Sequence, residues 1–140
     1  MDNTIIKAAL ATVGGGIAFW LGGLDQLLSA LIAAMVLDYL TGILRAIHRK
    51  ALSSEIGFKG IAKKALTLVV VALSFIIESL TAHALPLREI VIMFFIANEG
   101  ISILENAAGT GLPIPARLRE VLAQLREKGD DNATSDSTHQ

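Results

Sequence analysis

LDYLTGILRAIHRKALSSEIGFKGIAKK, residues 37–64, decides the fold. The stretch ends one apolar segment, in which Asp38 is embedded, and runs through a short basic turn. It then opens a second apolar segment at Ala65. Arg45, Arg49, Lys50, Lys59, Lys63 and Lys64 all lie in it, half of the chain's 12 Lys and Arg residues. Basic residues flanking inserted helices stay on the cytoplasmic side, so residues 48–64 read as a cytoplasmic loop between two membrane spans.

Outward from that loop, the apolar segments set the architecture. The 140 residues are 53% hydrophobic and 18% charged, with mean hydropathy +0.59. A soluble domain of this size leaves more polar surface in water than that composition supplies. The spacing predicts an all-α, multi-pass transmembrane protein of three or four spans. They lie at about 4–21, 27–47, 65–84 and 88–105, within a membrane domain at 1–112. Gly14, Ala18 and Gly22 recur every fourth residue and are candidates for close helix packing in lipid. Trp20 and Tyr39 are candidate interfacial anchors. In the second span, ten Leu, Ile and Val side chains favour insertion by roughly 0.3–0.6 kcal/mol each. Asp38 opposes them by roughly 2.5–3.5 kcal/mol.

Leu118, Val121, Leu122 and Leu125 lie at i, i+3, i+4 and i+7 among charged neighbours. They predict a cytoplasmic amphipathic helix over 113–128 that lies on the membrane or pairs with another copy. Residues 129–140 are polar and acidic, and are expected to be a disordered tail. The turn at 22–26 holds no Lys or Arg and the turn after the third span holds Arg88. The tail holds Arg117, Arg119, Arg126 and Lys128. Four spans with both termini in the cytoplasm satisfy that distribution. Three spans would move the N-terminus alone to the other side.

The chemistry-bearing residues are the acids inside the spans: Asp38, Glu78 and Glu99. Asp38, Thr41, Gly42 and Arg45 share one helical stripe, and Asn98, Glu99, Ser102, Glu105 and Asn106 form a similar patch on the fourth span. Lipid-facing charge is expensive, so these stripes turn toward other helices or toward water. Three readings stay open: the lining of a water-filled lesion made by many copies, a proton- or cation-coupled transport site, or a static satisfied bundle. No metal-ligand spacing, phosphate-cradling loop or nucleophile–base pair is present, so neither an enzyme nor a cofactor or metal site is expected. With no cysteine, thiol chemistry and disulfides are excluded. His48, His83 and His139 read as solvated or interfacial bystanders. The basic loop follows from topology, so no nucleic-acid partner is expected.

The order of span, basic turn and span resembles the phage lysis and toxin-secretion holin family, which includes holins linked to release of clostridial toxins. The likeness is carried by Asp38, Tyr39, Thr41 and Gly42, then Ser53 and Ser54, then Gly57, Phe58, Lys59, Gly60, Lys63 and Lys64. Asn98-Glu99, residues 101–106 and Gly111-Leu112-Pro113-Ile114-Pro115 extend it, so that it covers roughly residues 25–128. The resemblance implies a homo-oligomeric protein of the bacterial cytoplasmic membrane. Such a protein accumulates in the lipid bilayer, then assembles abruptly into lesions that let an endolysin, or a toxin, reach the cell wall. Glycines 57 and 60 are expected to relax the backbone of the turn at 53–60. Some holins carry a second start near the N-terminus. The next Met here is Met35, inside the second span, so no internal-start inhibitor is evident.

Overall fold

The computed structural model describes residues 3–135, with side chains described through residue 128. Five α-helices and no strand make up the described residues: α1 (Asn3–Trp20), α2 (Gln26–His48), α3 (Ser54–Leu80), α4 (Leu87–Gly109) and α5 (Ala116–Ser135). α2 and α3 are long and apolar enough to cross a membrane, and the other helices do not reach that mark.

Local chemistry explains the boundaries. α1 stops at Trp20 because Gly22 and Gly23 adopt φ of 82° and 95°, which lets the Gly23 amide donate back to Ala18 O at 2.8 Å. Gly22 is therefore a turn residue, and the Gly14–Ala18–Gly22 repeat does not continue along one helix. Among the described residues, and apart from α1 itself, a Cβ on Gly14, Gly15 or Gly16 would meet nothing within 4 Å. Asp25 caps α2 by accepting from the Leu28 amide at 2.9 Å, and Ser53 caps α3 by accepting from Ile56 at 3.3 Å.

That second cap corrects the expected loop. α3 starts at Ser54, not at Ala65, so most of the basic stretch is helical and the true turn is residues 49–53. Gly57 and Gly60 do not relax a turn. They sit one helical turn apart on α3 and leave room for Tyr39 of α2. A Cβ on Gly57 would lie 3.3 Å from the Tyr39 hydroxyl, and one on Gly60 3.5 Å from its ring. Tyr39 is thus used for packing and is not an outward anchor. Phe58 projects outward, and Lys59 pairs with Glu55 on the exposed surface. α3 ends at Leu80, before Pro86, with Ala82 and His83 at φ of 52° and 57°.

α4 is the centre of the bundle. α2 and α3 each pack mainly on α4 and touch one another little, while α1 makes only a slight contact with α3. The seam has a repeat of alternating three and four residues in all three helices. On α2 it runs Leu28, Leu31, Met35, Asp38, Gly42, Arg45. On α3 it runs Lys64, Thr67, Val71, Ser74, Glu78, and on α4 Arg88, Ile92, Phe95, Glu99, Ser102, Asn106. This is the spacing of coiled-coil-like bundles. The apolar members of these runs are Leu28, Leu31 and Met35 on α2, Val71 on α3, and Ile92 and Phe95 on α4, and the fully buried Leu28, Leu31, Val71 and Ile92 form the core. Thr67 and Ser74, buried beside them, satisfy their hydroxyls on Lys63 O and Val71 O.

α5 folds back along α4, where Leu122 lies against Gly100; a Cβ on that glycine would meet it at 3.1 Å. The amphipathic helix was expected to end at residue 128, but it runs to Ser135, over part of the expected tail. Residues 136–140 lie outside the described residues.

Two glycine substitutions have opposite expected outcomes. Gly60→Ala meets Tyr39 at ordinary contact distance and gains helix propensity, so thermal unfolding in detergent shifts up by about 0.5–1 kcal/mol. Gly22→Ala meets a positive φ and an Arg88 Nε only 2.6 Å away, and should destabilise by at least about 1–2 kcal/mol.

Candidate functional site

The polar ends of the three seams meet as two separate networks with the apolar core between them. Along α3 the networks are 14 residues apart, or about 20 Å.

At the end nearer the basic turn, Lys64 Nζ bridges Asp38 Oδ2 at 2.7 Å and Glu99 Oε2 at 2.5 Å. The three side chains retain 15%, 17% and 8% of their exposure, so the cluster is largely withdrawn from solvent. Asn106 Nδ2 donates to Asp38 Oδ1 at 3.1 Å and to Thr41 Oγ1 at 3.3 Å, while its Oδ1 accepts from Arg45 at 3.4 Å. Gly42 leaves room for that amide. One cation therefore serves two carboxylates contributed by different helices, and Asn106 ties the second carboxylate oxygen of Asp38 to α4.

At the other end, Arg88 is almost fully buried. Its guanidinium donates to Asp25 at 2.7 and 3.2 Å, and to the carbonyls of Leu21 and Gly23, which close α1. Its own backbone amide donates to Glu78 Oε2 at 2.8 Å, and Glu78 Oε1 lies 3.0 Å from His83 Nδ1. No buried side-chain nitrogen or oxygen among the described residues lacks a partner.

The Arg88 hydrogen bonds, assisted by the Leu28 amide, hold the Asp25 carboxyl below its usual range against an opposing effect of burial. A depressed carboxylate contributes stability above its unfolded value of about 4, and that stability is lost as pH falls through the lower folded value. Thermal stability should therefore fall steeply below about pH 4 in the parent chain and more gently in Asp25→Asn, as followed by circular dichroism in detergent.

Of the expected polar residues, the structure gathers Asp38, Thr41, Arg45 and Glu99 in one network, and assigns Glu78 to the other. Asn98 and Ser102 are half-buried on α4 without a side-chain hydrogen bond among the described residues, and Glu105 is exposed. His83 is exposed, as expected, but it also contacts Glu78; His48 is exposed, and His139 lies outside the described residues. Lys63 is exposed, whereas Lys64, one residue on, is the pivot of the first network. Sequence reasoning treated Lys64 as a topology marker and missed that role, and also missed the pairing of Arg88 with Asp25. The signal was present: Lys64, Thr67, Val71, Ser74 and Glu78 share one face of α3.

Comparison with known proteins then decides the family. The family model described as "Bacteriophage holin family" matches residues 15–127. The chain belongs to that holin family. An uncharacterised protein of Clostridium perfringens is 41% identical over 133 residues, covering 93% of this chain and 98% of the relative. An uncharacterised protein of Listeria innocua is 35% identical, covering 91% of each. A probable holin of Bacillus phage phi105 is 30% identical over 117 residues, 84% of this chain and 87% of that one. No solved structure matches the chain.

Holin membership and the two long apolar helices point to a non-enzymatic membrane protein. The apolar outer faces agree. Val36, Leu40 and Leu44 of α2, and Leu66, Val69 and Leu73 of α3, are all exposed. Exposed apolar side chains along two long helices are what a surface covered by lipid or by another protein presents.

Proposed function

We propose that this chain is the lesion-forming subunit of a host-lysis system. It accumulates in the bacterial cytoplasmic membrane with the basic turn and the C-terminal helix in the cytoplasm. It then self-associates into lesions that pass a cytoplasmic endolysin, and so times lysis; a relative of this kind could equally serve a toxin. Three or four helices span the bilayer in this reading, α2 and α3 with the strongest claim.

The observation that carries the reading is the ionic cluster of Asp38, Lys64 and Glu99, held between helices whose other faces are apolar. Within lipid such a cluster is tolerated only while its charges satisfy one another, or once water reaches them. A single packed chain meets the first condition and a hydrated assembly of many chains meets the second, so opening the seam exchanges one for the other. The alternative of a small proton-coupled exporter needs a carboxylate open to a substrate path. Glu99 is engaged by Lys64 and Glu78 by the Arg88 amide and His83, which favours the lesion reading.

Induced expression with a co-expressed endolysin provides the test. Growth should continue undisturbed and then stop abruptly, with the endolysin released at that moment. Gradual leakage from the start of induction, or resistance to a toxic compound that depends on the proton gradient, would reject the proposal in favour of a transporter.

A further inference from the structure

At the basic-turn end a cleft of about 800 Å³ is lined by residues of α2, the turn and α3. Tyr39, Ile43, Ile56, Phe58 and Ile61 line it, together with Lys64 and Asn106 of the first network. Ile56, Phe58 and Ile61 are each more than half exposed. Arg45 and Arg49 stand on its α2 side, and neither has a carboxylate within ion-pair distance among the described residues. Arg45 lies over Gly109 and gives one long hydrogen bond to Asn106, while Arg49 is exposed. The single acid lining the cleft, Asp38, is already held by Lys64. The exposed Glu105 shares a neighbouring pocket with both arginines but makes no ion pair with either among the described residues. An apolar slot beside two such guanidiniums has the complement of an amphiphile with a negative head.

The geometry points to a binding site for one anionic phospholipid, its phosphate on Arg45 and Arg49 and an acyl chain along Ile43, Ile56 and Ile61. Guanidinium groups match phosphate oxygens in pairs, and basic pockets between spanning helices on the cytoplasmic side take anionic headgroups. The volume falls within the range of about 300–1,000 Å³ that small-molecule sites occupy. A free phosphate would leave the apolar walls uncovered, whereas a lipid covers them. The inference rests on α2 and α3 lying in a membrane with the basic turn at its cytoplasmic face, and not on lesion formation.

The test is native mass spectrometry of the full chain in mild detergent, titrated with phosphatidylglycerol or phosphatidylcholine of identical acyl chains. One phosphatidylglycerol should be retained per chain, preferred by about 30-fold for two guanidinium contacts. Arg49→Gln should lower that preference about fivefold. Ala46→Trp, on the cleft wall, should abolish retention of both lipids while leaving helicity by circular dichroism unchanged. Equal retention of the two lipids by the parent chain overturns the site, as does a preference that Arg49→Gln leaves undiminished. Displacement by inorganic phosphate alone overturns it too, because the site would then recognise any anion. Leakage of a fluorescent protein from vesicles, measured on the same preparations, tests the lesion reading separately. Leakage without lipid preference removes only the lipid site, and lipid preference without leakage removes only the lesion reading.

Discussion

Lys64→Met should be the most damaging single substitution in this chain. The methionine fills nearly the same volume, so the loss is one of charge and not of packing. Asp38 and Glu99 would be left facing each other, mostly buried, with no cation between them. Removing one partner of a buried pair is destabilising by about 3–5 kcal/mol, because the remaining charge stays uncompensated. That is a large share of the roughly 5–15 kcal/mol that holds a typical domain together. Thermal unfolding in detergent, followed by circular dichroism, should show a large drop in midpoint. Adding Asp38→Asn and Glu99→Gln to the same chain should recover most of it, since a fully neutral cluster no longer buries charge. A parent-like midpoint in Lys64→Met alone would mean the cluster is not what holds α3 to its neighbours.

Arg88→Leu is the second large effect. It strips partners from Asp25 and from the Leu21 and Gly23 carbonyls in one step, and so unties the turn joining α1 to α2. Asp25 keeps 46% of its side-chain exposure, so water compensates part of the loss. The expected cost is therefore about 3 kcal/mol, near the low end for a buried pair. Hydrogen exchange should quicken at the amides of residues 21–28 and change little around Asn106. Arg88→Lys should not restore protection, because an ammonium cannot reach the three acceptors that the planar guanidinium serves together. Uniform loss of protection along the chain would instead make Arg88 a general packing residue.

Much of this architecture could be read from residue order alone. Four apolar segments, the basic turn and a charged amphipathic helix each carry a local signature, and α1 to α5 appear in that order. The motif around residues 37–64 also pointed to the family that the comparisons return. Boundaries were less legible. The run of Ser53 to Lys64 looks like a loop when charge is counted, yet Ser53 is an N-cap and the residues after it are helical. Charge density marks the side of a membrane, but it does not say where the backbone hydrogen bonds begin.

The site was legible in part for a different reason. Asp38 and Glu99 stand out because an acid in an apolar run is expensive. A lysine at the edge of such a run has an ordinary explanation in topology, which hid Lys64. Glu78 drew the same attention as the other two acids, but distance along α3 assigns it to the opposite end of the bundle. The alternation of three and four residues, read across α2, α3 and α4 together, puts both groups on one seam, and distance along that seam separates them.

The central position of α4 has a consequence for how the molecule is made. α2 and α3 leave the ribosome before α4 and find little to hold in each other, so the early hairpin has no interior of its own. Glu99 and Asn106 arrive late and act as the wedge that gives both earlier helices a surface to close on. A nascent chain stopped short of residue 87 should therefore stay splayed, with Lys64 sharing its charge with Asp38 alone, and emergence of α4 should be the event that shuts the bundle.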